Sequence, residues 1–220
     1  MHIDDAIIKY YLRNVMFING TAYAGKSTMV RMLADKYDLI HCGENYEISA
    51  VDVVKTPERY PNLCYFQTMS GWQEFINRTP EVYAKWADGV TDELAAFEIA
   101  ELMSLSRDRK VIVDTNIPLD VLKKIAGYNQ VAIMLSPQWM SVDKFFDRDD
   151  DKSFFLEKIN EADDPEKTMA NFRACIAEMN RPEQYDAFLN SGFYTIVREN
   201  ADIDTREETL AKLAAHFGLE

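Results

Sequence analysis

The chain has 220 residues, 47% of them hydrophobic, and a formal net charge of −13. That length suits a single domain of residues 1–220 with insertions and a sizeable core. The acidic balance argues against a nucleic-acid or anionic-membrane binder, because phosphate groups call for a basic face.

Three scattered cysteines, Cys42, Cys64 and Cys175, show no CxxC spacing. They read as small buried hydrophobes in a reducing cytosol rather than as a metal framework. The start, Met1-His2-Ile3-Asp4-Asp5, is acidic where a signal peptide is basic, and no run approaches the ~18 apolar residues of a membrane helix. A soluble, cytoplasmic protein is expected.

In chain order, Ile3, Ile7, Ile8, Tyr11 and Leu12 recur at helical spacing and predict a short amphipathic helix. Val15 to Asn19 is an apolar run of strand length. Gly20-Thr21-Ala22-Tyr23-Ala24-Gly25-Lys26-Ser27 follows, with Thr28 behind it, and matches G-x-x-x-x-G-K-[ST]. A helical pattern continues to Tyr37. Strand, glycine-bounded loop and helix form the context a phosphate-binding loop needs. The glycines let backbone N–H groups turn inward, Lys26 supplies a point charge for phosphate, and the Ser27 hydroxyl can ligate Mg²⁺.

Leu39 to Cys42 reads as a second strand, ending at Gly43-Glu44-Asn45. Residues 45–78, punctuated by Pro57, Pro61 and Gly71, give only short helices and loops. Pro80 opens a long helix to about Ser106, with Val82, Trp86, Val90, Leu94 and Phe97 as its apolar stripe and Gly89 as a candidate bend. Lys110 to Asp114 is a strand ending in a carboxylate. Residues 118–127 form a helix closed by Gly127, and Val131 to Leu135 is another apolar strand. Residues 138–146 look helical, Asp147 to Lys152 is a charged break, and helices interrupted near Pro165 and Pro182 cover 153–190. Phe193 to Val197 is the last strand. Thr205-Arg206-Glu207-Glu208 looks like an N-cap start for a closing helix through Phe217, with Gly218 beyond its end.

Uninterrupted apolar strands alternating with helices predict an α/β fold whose parallel sheet is covered on both faces. Ligands of such sheets sit at the carboxyl ends of the strands, where the loop, Glu44, Asp114, Ser136 and Arg198 all fall. Asp114 is placed to hold Mg²⁺ beside Ser27. Glu44 either takes the proton of an acceptor hydroxyl or starts a helix. Arg148 either stabilises charge on a transferring phosphoryl group or belongs to a solvated charged loop; Arg173 is a second candidate. Arg198, Asn200 and Asp202 contact a base or form a turn. Tyr46, Tyr60, Tyr65, Phe66, Trp72, Tyr83 and Trp86, with Arg59, Arg78 and Lys85, either line an acceptor pocket or pack an inserted helical subdomain.

With these elements placed, the chain resembles the P-loop small-molecule kinases, the nucleotide, shikimate, gluconate and zeta-toxin-like kinases among them. The resemblance spans most of residues 14–218 in element order and is specific in sequence over Gly20 to Thr28. It implies a P-loop NTPase fold with a five-stranded parallel sheet in order 2-3-1-4-5, a helical acceptor-binding insertion (43–106) and a helical lid region (138–190). It also implies ATP with Mg²⁺ and a small-molecule acceptor, Lys26 binding phosphate, Ser27 and Asp114 serving the metal, and Arg148 as the lid arginine. Tyr23 stands where many of these kinases have Gly. Neither Asp-Gly-[Phe/Tyr]-Pro-Arg nor a Gly-Gly-Gly turn occurs, so Asp114-Thr115-Asn116 leaves the acceptor open.

The expected function is an ATP-dependent phosphotransferase acting on a small-molecule hydroxyl or phosphate, as a monomer or an oligomer. The alternative is a nucleotide-binding regulatory or scaffold protein of the same fold. A GTPase switch fits poorly, because Asp114-Thr115-Asn116-Ile117 lacks a Gly three residues after the Asp and no Asn-Lys-x-Asp occurs.

Overall fold

The computed structural model describes residues 3–147, 152–200 and 202–219. Helix α1 (Asp5–Tyr11) leads into strand β1 (Val15–Gly20), helix α2 (Lys26–Tyr37) and strand β2 (Ile40–Cys42). Three short helices follow, α3 (Val51–Val54), α4 (Tyr65–Thr68) and α5 (Trp72–Ile76), and then the long α6 (Pro80–Leu105). Next come β3 (Val111–Asp114), α7 (Leu119–Ile125), β4 (Val131–Leu135) and α8 (Gln138–Asp143). Helices α9 (Lys152–Asn160), α10 (Pro165–Met179) and α11 (Pro182–Leu189), strand β5 (Tyr194–Val197) and α12 (Arg206–Phe217) complete the chain.

The five strands form one sheet in the order β2-β3-β1-β4-β5, parallel throughout. Alternation along each strand divides the core. Val15, Phe17, Val111, Val113, Val131 and Ile133 face a cluster completed by Ala95 and Leu102 of α6, Leu122 and Ile125 of α7, and Phe188 of α11. Met16, Ile18, Ile112, Ala132 and Met134 face the opposite cluster, completed by Met29, Val30 and Leu33 of α2 and by Leu210, Leu213 and Phe217 of α12. Both faces are therefore dry, which is why the strands lack the polar alternation of half-exposed sheets.

A third cluster lies apart from the sheet. Phe75, Ile76, Tyr83, Ile159, Phe172, Cys175 and Ile176 bring α5, the start of α6, α9 and α10 together. Prolines punctuate these helices by opening them: Pro80, Pro165 and Pro182 each stand in a first turn, where the missing N–H is not needed.

The long helix departs from expectation in the face it buries. Its buried residues are Tyr83, Ala84, Ala95, Phe97, Glu98 and Leu102, while Val82 of the expected stripe is exposed. The cause is that the first half faces the aromatic cluster and the second half faces the sheet. Gly89 sits within α6, which is continuous from Pro80 to Leu105. A Cβ there would lie 2.4 Å from Asn62 Nδ2, so the glycine admits the Asn62 side chain. Asn62 Nδ2 in turn donates to Glu93 at 2.6 Å, and Trp86 Nε1 donates to the Asn62 carbonyl at 3.2 Å.

Two caps also differ. Helix α7 stops at Ile125 before Gly127, whose N–H donates to Gln130 Oε1 at 3.0 Å. Thr205 occupies the N-cap of α12 without a side-chain bond, and Asp204 Oδ1 accepts from the Arg206 N–H instead, at 3.1 Å. Gly218 closes α12 in the left-handed conformation. Among the described residues no helix is long and apolar enough to cross a membrane.

Candidate functional site at the carboxyl ends of the strands

The loop from Gly20 to Ser27 joins the middle strand to α2. Gly20 has φ +134°, and a Cβ on it would stand 1.9 Å from the Met134 carbonyl oxygen. Glycine is thus required twice, by conformation and by the closeness of β4. The Thr21 N–H donates to that same carbonyl at 3.1 Å. Thr21 Oγ1 accepts from the Ser136 N–H at 2.7 Å, and the Ala22 carbonyl accepts from Ser136 Oγ at 2.6 Å and Ser141 Oγ at 2.9 Å. The outer side of the loop is therefore pinned to the end of β4 and to α8.

Tyr23 adopts φ +65°, a left-handed conformation costing a non-glycine residue on the order of 1 kcal/mol. Its carbonyl accepts from Arg198 Nη1 at 3.2 Å. Ala24 is buried against Met29 and Met134. Gly25 at φ +89° is the N-cap of α2, so the helix axis begins at the loop and adds its partial positive charge there.

Three side chains meet where α2 and β3 face each other. Ser27 Oγ donates to Asp114 Oδ2 at 2.7 Å. Lys26 Nζ lies 3.7 Å from Asp114 Oδ1 and donates to the Thr21 carbonyl at 3.3 Å. The Asp114 side chain is 1% exposed. A carboxylate, a hydroxyl and an ammonium at a helix N-terminus make a donor set suited to a polyphosphate and a hard cation.

On the other side of the loop opens a cavity of about 360 Å³, walled by Gly25, Thr28, Ile196, Arg198, Asp202 and Thr209 among others. Arg206 grips Asp204 through Nε at 2.9 Å and Nη2 at 2.6 Å at its rim, and these bonds hold the Asp204 carboxyl down to about 2. Asn200 forms a turn, its Oδ1 accepting from the Asp202 N–H at 2.8 Å, whereas Arg198 and Asp202 line the cavity.

Glu44 is exposed in the turn after β2, and Arg173 is exposed on α10. Arg148 lies outside the described residues. The aromatic residues of the insertion are mostly packing: Phe66, Phe75, Tyr83 and Trp86 stack with one another and with Phe155 and Phe172 of the neighbouring helices. Arg78 is enclosed among them, 3.5 Å above the Tyr65 ring. Tyr60 instead packs on Phe97.

One residue of this region escaped the sequence reading. Glu98 of α6 is 5% exposed and faces the end of β3. Burial pushes its carboxyl up to about 7; the Asp114 charge adds to this, and a hydrogen bond with Thr115 opposes it. Its signal in the sequence was a carboxylate four residues after Leu94 and four before Leu102, on the apolar side of the helix.

No protein-family model, no curated protein and no solved structure matches the chain.

Proposed function

We propose that the protein is an ATP-dependent phosphotransferase with a P-loop NTPase fold, moving the γ-phosphoryl group to a small-molecule acceptor. The observation that carries this reading is the convergence of Lys26 and Ser27 on Asp114 at the mouth of a glycine-bounded loop. A loop lined only for packing has no need of a buried carboxylate opposite a helix N-terminus.

The residues fit the implied cation and nucleotide. Gly20 brings backbone close to β4, Lys26 and the start of α2 oppose negative charge, and Ser27 and Asp114 offer hard oxygen donors. Mg²⁺, when bound there, supplies positive charge against the phosphate oxygens. The cavity beside Arg198 and Thr209 suits the base, as it adjoins Gly25 and Thr28. In the transfer, the acceptor oxygen bonds to the γ-phosphorus while the bond to the β–γ bridging oxygen breaks. ADP leaves, and the acceptor's proton passes to Glu44 or to solvent. Lys26 stabilises the charge that develops, so the chain's contribution is positioning and electrostatics.

The second reading, a nucleotide-binding regulatory protein, draws support from Tyr23, a bulky side chain in the loop held at φ +65°. One experiment separates them. Calorimetric titration of ATP and GTP with Mg²⁺ is followed by ADP release against nucleosides, nucleotides, sugars and hydroxy acids. Acceptor-dependent release is the expected result. Binding without it favours the regulatory reading, and absence of binding removes both.

A further inference from the structure

The insertion holds a guanidinium without a counter-ion. Arg78 follows α5, and its main chain is fixed from two sides. Its N–H donates to the Phe75 carbonyl at 3.4 Å, and its carbonyl accepts from Asn171 Nδ2 of α10 at 2.7 Å and from Cys175 Sγ at 3.5 Å. The side chain lies over the Tyr65 ring, with Cζ 3.5 Å from that centroid and 5.5 Å from those of Phe75 and Trp86. Nη1 is buried and has no hydrogen-bond partner among the described residues.

The chain carries 37 aspartates and glutamates against 24 lysines and arginines, yet among the described residues none of those carboxylates pairs with Arg78. Glu74, the carboxylate of α5, is taken by the Tyr65 hydroxyl and by the Ser70 N–H at 2.9 Å and Oγ at 2.7 Å. Ring faces attract a guanidinium but give its N–H groups no oxygen to bond. An apolar side chain would fill the same space without a buried donor left unmade. The aromatic cluster also shares a wall with the phosphate-binding loop. Val142 of α8 packs against the cluster, and its neighbour Ser141 donates to the Ala22 carbonyl at 2.9 Å.

We propose that Arg78 binds an oxyanion, and that this oxyanion is a phosphate or carboxylate group of the phosphoryl acceptor. The inference rests on the phosphotransferase reading and narrows it to anionic acceptors. The planar fork of an arginine matches two oxygens of either group, and its half-buried side chain keeps a side open to solvent. An anion arriving there supplies the missing counter-charge where the rings of Tyr65, Phe75 and Trp86 keep water from screening the pair. A neutral alcohol would leave the cation as it stands.

The test uses the whole chain with Mg²⁺ and a saturating non-hydrolysable ATP analogue. Calorimetry then compares each anion with its neutral counterpart: AMP with adenosine, glycerol 3-phosphate with glycerol, and gluconate with glucitol. At least one anion should bind about tenfold or more tightly than its counterpart, and the pair that shows this tells phosphate from carboxylate. Arg78→Met should abolish the preference, with analogue affinity within about twofold of wild type and a melting temperature no lower. Arg78→Lys, which keeps the charge and loses the fork, should weaken the anion about threefold or more and decides the matter if the Met variant does not fold. Binding by neutral members alone, no binding by any of the six, a preference that survives Arg78→Met, or an anion affinity unmoved by Arg78→Lys overturns the assignment. Failure of the wild type to bind the analogue in the first titration is a distinct result, which removes the parent reading and this one with it.

Discussion

Ser27 Oγ and Asp114 Oδ2 are 2.7 Å apart, joining the first turn of α2 to the last residue of β3 across two neighbouring strands. The bond fixes the hydroxyl that follows Lys26 against a buried carboxylate, so the loop's end is set by the sheet and not by the loop alone. Consequences for binding and stability follow from this anchoring.

Lys26→Ala should lower Mg-ATP affinity roughly 10- to 100-fold, the loss of charge-assisted bonds worth about 1.5–3 kcal/mol. Calorimetry measures it, and circular dichroism should show an intact fold. Unchanged affinity and turnover together would sink the phosphotransferase reading.

Gly20→Ala should destabilise the protein by at least about 2 kcal/mol, because it adds a clash with the Met134 carbonyl to an unfavourable φ. Urea unfolding should show a lower midpoint at unchanged slope.

Glu98 makes stability depend on pH in a direction opposite to that of a salt-bridged carboxylate. Its folded pKa of about 7 exceeds the ordinary 4.5, so the native state holds the proton longer than the unfolded chain. Its contribution is therefore complete below pH 4.5, falls as pH rises to 7, and stays lost above. The total is on the order of 3 kcal/mol at 1.36 kcal/mol per pKa unit. Urea titrations of wild type and Glu98→Gln at pH 5 and pH 8 should show the variant's advantage growing with pH. A constant difference would contradict the burial argument.

Tyr46→Phe should raise stability by about 1 kcal/mol, since it removes a buried hydroxyl that has no partner among the described residues. Thermal unfolding reads this directly, and a loss of stability would mean that the hydroxyl is bonded in solution.

Cys42, Cys64 and Cys175 are all buried, and burial pushes the Cys42 and Cys175 thiols up to about 12 and about 11. A thiolate-selective disulfide reagent at pH 8 should leave them unmodified in the native protein and react with all three in urea. Rapid reaction of the folded chain would show that one of them opens to solvent.

Much of the architecture was legible because it is local. Val15 to Ile18, Val111 to Val113 and Val131 to Leu135 are apolar runs too short for helices, and the loop's residue types mark their own position. The insertion was opaque for the opposite reason. Helices α3, α4 and α5 have four or five residues, too few to show a period, and α5 is held by Phe75 and Ile76 in one cluster with Phe155 and Phe172, which lie far along the chain. That Gly89 receives the Asn62 side chain was not legible, because nothing in the sequence sets Asn62 against the helix. Glu98 was hidden by context, since a carboxylate on a long helix ordinarily faces water.

The two serine hydroxyls on the Ala22 carbonyl have an effect beyond fastening the loop. The following peptide is trans, so an oxygen drawn toward Ser136 and Ser141 turns the Tyr23 N–H to the opposite side. Hydroxyls lying outside the loop thereby set the polarity of that part of its inner surface. Removing Ser136 and Ser141 together would free the peptide to rotate and to present oxygen where the loop now presents hydrogen.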